Sequence, residues 1–145
     1  MIDTRYITKA RQLAQGSPDP STKVGCIIVK HSIIPRGDNH VDVGYGYNDL
    51  APGTPEEYWQ DRELKYPHVV HAEIHALLHA GRDARGAQLY CSEHPCLQCA
   101  IAIAAAKVAV VCCPQEPWRD TPEIRATIEG AKKVFARAGI IVQYV

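Results

Sequence analysis

Apolar positions recur along this chain with two different periods. Over residues 3–15, Tyr6, Ala10, Leu13 and Ala14 fall at helical spacing and predict a first helix. Gly16 stops it, and Ser17-Pro18-Asp19-Pro20 forms a rigid turn. Residues 24–29 (VGCIIV) are a short apolar run rich in β-branched side chains, the pattern of a strand covered on both faces. A second strand is expected within 41–47, with a loop over 31–40 between the two. Residues 48–70 are the longest irregular stretch, with a short helix expected over 55–64; long loops in compact domains are often functional. A helix follows over 72–80 and ends at Gly81, and a strand covers 87–91. Pro95 opens the next helix, to about residue 106, because its missing N–H would be unpaired in a first turn. A strand over 108–113 comes next. Thr121 is the expected N-cap of a last helix ending near Gly139, before a final strand over 140–145. The order α-β-β-α-β-α-β-α-β predicts an α/β sheet with helices on both faces. No repeat, low-complexity tract or linker divides the chain, so residues 1–145 read as a single domain.

Composition narrows the partners. At 145 residues and 16.0 kDa the chain can bury one core without disulfides. Sixteen Lys and Arg offset sixteen Asp and Glu, which disfavours a long nucleic acid but leaves room for a mononucleotide. No apolar run approaches the roughly 20 residues of a membrane span. The opening Met-Ile-Asp-Thr-Arg-Tyr does not read as a signal peptide. The expected location is therefore the cytoplasm, or a host cytoplasm for a viral protein. Six cysteines are then expected as reduced thiols or metal ligands.

Two segments carry chemistry: His71-Ala72-Glu73 and, about 20 residues on, Pro95-Cys96-Leu97-Gln98-Cys99. Cys96 and Cys99 share one face at the start of a predicted helix, where partial positive charge favours thiolate. With His71 they form a three-ligand zinc set that leaves one position open, as catalytic zinc requires. Two thiolates and a neutral imidazole balance the metal's charge, so the open position suits a water of lowered pKa. Glu73 is placed to move that water's proton. Each half alone has a plainer reading: a redox or structural Cys-x-x-Cys, and a surface His-x-Glu. A structural zinc module would need a fourth protein ligand, with His94 or Cys91 as candidates. His71, His75 and His79 recur at i, i+4, and His75 and His79 read as partly exposed or polar core residues. Cys26, Cys91, Cys112 and Cys113 fall in strand segments and read as small buried hydrophobes.

His-x-Glu followed by Pro-Cys-x-x-Cys is the pattern of zinc nucleobase deaminases. Over nearly its whole length the chain resembles the deoxycytidylate (dCMP) deaminase branch of the cytidine deaminase-like superfamily. The similarity lies in Ser17-Pro18-Asp19-Pro20-Ser21-Thr22-Lys23-Val24-Gly25, Gly46-Tyr47-Asn48 with Pro52-Gly53, Lys65-Tyr66-Pro67 before His71, and Ala138-Gly139-Ile140. The resemblance implies a three-layer α/β/α fold with a central five-stranded mixed sheet. It implies one Zn2+ held by His71, Cys96 and Cys99, with attack of water at C4 of cytosine and Glu73 protonating N3 and then the leaving amino group. Asn48 matches the position that contacts the substrate sugar, a role suited to an amide's donor and acceptor. Ala72 and Pro95, beside the metal ligands, are expected at the substrate. Lys23, Ser21, Thr22, His68, Arg119 and Trp118 are the candidates for reading a phosphate, with Lys23, His68 and Arg119 foremost.

The expected reaction is dCMP to dUMP and ammonia. The expected assembly is a homo-oligomer, hexamer or dimer. Control by dCTP with Mg2+ and by dTTP is part of what the resemblance implies, sought at residues 33–40 and after Asn48. The chain departs from the family's usual residues at His75, where Asn is usual, and at His94, where Ser is common. The stretch between Val29 and Gly46, with Arg36-Gly37-Asp38-Asn39-His40, looks longer than usual. These departures admit a 5-substituted dCMP, or another base or nucleoside, as alternative substrate.

Overall fold

The computed structural model describes residues 3–31 and 40–145. Helix α1 (Thr4–Ala14) begins where the Asp3 carboxylate accepts the Arg5 N–H at 3.0 Å, capping a donor the helix leaves unpaired. Strands β1 (Gly25–His31) and β2 (His40–Tyr47) pair antiparallel with a bulge after Ile28. The chain then makes β3 (Asp49–Leu50), a 3-10 turn at Glu56–Gln60, helix α2 (Arg62–His68) and β4 (Val69–Val70). Helix α3 (Ala72–Ala80), β5 (Gln88–Cys91), α4 (Leu97–Ala105), β6 (Val110–Cys113), α5 (Pro122–Ala138) and β7 (Ile141–Tyr144) complete it.

The main sheet has the order β2-β1-β5-β6-β7, antiparallel across its first two pairings and parallel across the last two. Side chains of a strand alternate between faces, and β1 uses both. Ile27 and Val29, with Tyr90 and Cys112, pack under Tyr6, Ile7 and Ala10 of α1. Cys26 and Ile28, with Leu89, Cys91, Val111 and Cys113, pack under Ala76 of α3, Ala100 and Ile103 of α4, and Ala131 and Phe135 of α5. The fold is thus three layers, α/β/α, around a five-stranded mixed sheet. All six cysteines are free, and Cys26, Cys91, Cys112 and Cys113 are buried as small apolar side chains. No helix among the described residues is long and apolar enough to cross a membrane.

Two glycines set how closely α3 sits on β2. A Cβ on Gly44 would lie 2.4 Å from the Ala76 carbonyl oxygen, and one on Gly46 would lie 2.5 Å from the His75 Cβ. The helix answers with its smallest side chains, Ala72, Ala76 and Ala80, one per turn and all buried. This seat fixes the height of the α3 N-terminus, where His71 and Glu73 stand.

Several boundaries differ from those read in the sequence. The helix expected over 55–64 is two elements. The chain leaves the 3-10 turn at Asp61, whose extended backbone and carboxylate, accepting the Glu63 and Leu64 N–H groups, start α2 afresh. Pro95 lies outside α4, because Cys96 is extended (φ −77°, ψ 172°) and is itself the N-cap. The short ladder of β3 with β4 was not expected, since two residues per strand carry no periodicity. Residues 33–39, most of the stretch sought as an effector loop, lie outside the described residues.

Candidate active site

Two helix starts meet above the sheet. His71 is the N-cap of α3 and Cys96 the N-cap of α4, with Glu73 and Cys99 in the respective first turns. Both capping residues are extended and make no side-chain capping bond, so their side chains are free to meet although 25 residues apart in sequence. His71 Nδ1 lies 3.6 Å from Cys96 Sγ and 3.3 Å from Cys99 Sγ. The three ligand atoms all lie within 4.8 Å of one another, the only such cluster among the described residues. An imidazole and two thiols at this spacing are the donors zinc prefers, and the helix ends supply partial positive charge that favours thiolate. His71, Cys96 and Cys99 therefore fit a zinc ion.

The candidates for a fourth, closing ligand are engaged elsewhere. His94 donates from Nδ1 to the Pro95 carbonyl at 2.9 Å, and its Nε2 faces the Tyr144 hydroxyl at 3.4 Å. Cys91 stands opposite Cys26 in the sheet. The donor set is thus three, with one position left open.

The local electrostatics follow from this crowding. The Cys99 thiol beside it, with His71, draws the Cys96 thiol down to about 4. The Cys99 thiol moves the other way, raised by its hydrogen bond to Cys96 and by burial. Cys96 raises the His71 imidazole. Burial raises the Glu73 carboxyl, with His71 opposing it. Burial lowers the His94 imidazole and raises the Glu93 carboxyl.

A cavity of about 550 Å³ opens over this cluster. Of the residues singled out in the sequence, His71, Ala72, Glu73, Cys96, Asn48, Ser21, Thr22, Trp118 and Arg119 line it. Cys99 and Pro95 are buried and are not among its lining residues. Lys23 and His68 are not brought in. The Lys23 ammonium donates to the Ser17 carbonyl, and His68 donates from Nδ1 to the Leu64 carbonyl at 2.8 Å while its ring meets Tyr58 edge-on. Asn48 is heavily committed. Its Nδ2 donates to Thr22 O at 2.8 Å and Asp19 Oδ2 at 3.2 Å, and its Oδ1 accepts the Val24 N–H at 2.8 Å.

Asp19, Lys65 and Tyr66, which the sequence offers only as parts of motifs with no site role, and Trp59, Arg62 and Glu93, which it does not single out, line the same cavity. Arg62, Lys65 and Tyr66 stand at i, i+3 and i+4 on α2, one helical face. The Asp61 cap was the available signal for that helix.

The chain matches the family described as "Cytidine and deoxycytidylate deaminase zinc-binding region" over residues 1–114. It is 31% identical, over 97% of its length, to an uncharacterized deaminase in the luxG 3' region of Aliivibrio fischeri, of which it covers 90%. It is 32% identical, over 88% of its length, to deoxycytidylate deaminase of Mus musculus, of which it covers 70%. The crystal structure of dCMP deaminase from the cyanophage S-TIM5 in complex with dCMP and dUMP aligns with a TM-score of 0.72 at 26% identity, over 98% of this chain and 95% of that one. With two helix starts presenting His, Glu and two Cys beneath a cavity, the chain belongs to the cytidine and deoxycytidylate deaminase family, hydrolases that act on C–N bonds.

Proposed function

We propose that this chain deaminates dCMP to dUMP and ammonia, with one zinc ion held by His71, Cys96 and Cys99. The observation that carries the reading is the three-donor cluster left open towards a cavity, with the Glu73 carboxyl buried against it. Bound zinc would supply Lewis acidity to water at the open position. Glu73 takes one proton from the attacking water to N3, where it stays, and a second from the new C4 hydroxyl to the 4-amino group, which leaves as ammonia while C4 becomes a carbonyl. The cavity wall would orient the substrate, and Ala72, Trp59 and Trp118 line it. Arg119 is the one foremost phosphate candidate that lines the cavity, and it is exposed. Similarity to mouse deoxycytidylate deaminase, and to the cyanophage enzyme whose structure holds dCMP and dUMP, supports this substrate over other bases.

The test is ultraviolet absorbance of zinc-loaded protein with dCMP, deoxycytidine and 5-substituted dCMP side by side. Preferential loss of the dCMP cytosine band is expected. Turnover of another of these substrates with dCMP untouched would replace the substrate reading while keeping the chemistry. Glu73→Gln should retain one zinc and the wild-type far-ultraviolet spectrum while kcat falls by about two to four orders of magnitude. Unchanged kcat would remove Glu73 from the reaction.

We further propose a homo-oligomer. Leu78 of α3 and Leu97 and Ile101 of α4 are exposed by 73%, 36% and 52%, and a second copy would cover them.

A further inference from the structure

Lys65 is a cation enclosed in the cavity wall. Its side chain is only 10% exposed, and its Nζ donates to Asp19 Oδ1 at 2.7 Å. The Trp59 ring lies 5.5 Å from the same nitrogen. A buried ammonium needs partners, and these two supply them. An ammonium carries three N–H donors, and Asp19 takes one. Asp19 is itself spread over four donors. It accepts the Ser21 N–H at 2.8 Å, the Thr22 N–H at 3.3 Å, the Asn48 amide at 3.2 Å and Lys65. Its charge is thereby shared with the loop, and as the one hydrogen-bond acceptor of the Lys65 ammonium among the described residues it leaves two of the three ammonium donors for a ligand.

The other cations are placed differently. The Lys23 ammonium is turned onto the Ser17 carbonyl, outside the cavity. Arg62 and Arg119 line the cavity but are exposed, so water and salt screen them. Three carboxyls, Asp19, Glu73 and Glu93, also line it. An anionic substrate entering there needs a cation that solvent does not screen, and a charge held in low dielectric acts most strongly.

Resting on the nucleotide reading above, we infer that Lys65 is the specificity-determining cation. It reads the phosphate monoester of the substrate and so separates nucleotide from nucleoside, while Asp19 is the positioning residue that holds its ammonium in place.

Removing Lys65 alone would strand the buried Asp19 carboxylate. The test therefore compares zinc-loaded wild type with Asp19→Asn, with Asp19→Asn/Lys65→Met and with Lys65→Arg. Steady-state kinetics are measured on dCMP and deoxycytidine. Trp59 and Trp118, the chain's two tryptophans, both line the cavity, so their fluorescence reports binding of dCMP and of inorganic phosphate independently of turnover. The double variant should raise KM and Kd for dCMP about ten- to hundredfold, the range for losing one charge-assisted hydrogen bond. The rise for deoxycytidine should stay below about threefold. Asp19→Asn should fall between wild type and the double variant, and Lys65→Arg should keep most of the preference for dCMP. Equal rises for dCMP and deoxycytidine would overturn the inference, because Lys65 would then serve only the sugar, the base or the wall. Should wild type leave dCMP untouched, the nucleotide reading fails on its own. In that case loss of phosphate binding in the double variant still supports the Lys65 assignment, and unchanged phosphate binding overturns it.

Discussion

At the scale of single residues, Asn48 is the position whose structure adds a duty to its expected role. A residue that only touched a sugar hydroxyl would keep its amide free. Both Nδ2 contacts of Asn48 instead go to the protein, and its Oδ1 already holds the Val24 N–H. One lone pair on that oxygen remains for a ligand. Asn48→Ala should therefore destabilise the free protein by about 2 kcal/mol, since buried partners lose their hydrogen bonds. For a domain of this size that corresponds to a drop in Tm of roughly 4–8 °C, readable by calorimetry on the zinc-loaded chain without substrate. A weakened KM with unchanged Tm would make Asn48 a ligand contact alone. The metal cluster was legible in the sequence because its chemistry is local: two cysteines within one turn and a histidine two residues before a glutamate. Lys65 with Asp19 was not, because their pairing spans 46 residues and exists only after α2 has folded over the first loop. Lys65, Asp19 and Lys23 all stand in the quoted motifs, and Lys23, the phosphate candidate among them, spends its ammonium on Ser17.

At the scale of elements, the site is held by the fit of a helix to a strand. Gly44 and Gly46 on β2 face Ala72, Ala76 and Ala80 on α3, and the contact leaves no space for a methyl group. Gly44→Ala would push its Cβ against the Ala76 carbonyl and lift α3, at a cost of at least about 2 kcal/mol. Because α3 carries His71 and Glu73 at its start, kcat should fall even in the fraction that stays folded. Gly86→Ala is the control. Its φ of +73° strains a side chain, at about 1 kcal/mol, but nothing lies within 4 Å of the new atom and the helix is undisturbed. Equal kcat losses in the two variants would mean that general destabilisation, not helix height, governs activity. The strands and long helices were readable because their apolar periodicity spans several turns or pleats. The region 55–70 was read less well: a 3-10 turn, a seven-residue helix containing Pro67 and a two-residue strand each fall below the length at which periodicity shows.

At the scale of the whole molecule, balanced charge and unbalanced helix chemistry point the same way. Between Cys96 and Ala106 the chain has no charged residue, although α4 is not enclosed by its own fold. A helix apolar on every side belongs in an interior. Here the sheet takes Ala100 and Ile103, α5 packs against the helix, and Leu97 and Ile101 are left towards solvent, as is Leu78 of α3. Zero formal net charge adds no repulsion between copies. Light scattering should therefore give a mass at least twice 16.0 kDa. Ile101→Glu should shift the protein towards monomer, because a carboxylate buried at an apolar contact without a partner is strongly unfavourable. The cavity is lined from loops, the 3-10 turn, α2, the starts of α3 and α5 and the N-cap of α4, and Ile101 is not among its lining residues. The monomeric variant should thus keep its zinc and its fluorescence response to dCMP. A wild-type mass of 16.0 kDa would leave the apolar α3 and α4 surface uncovered by a second copy and sink the oligomer proposal.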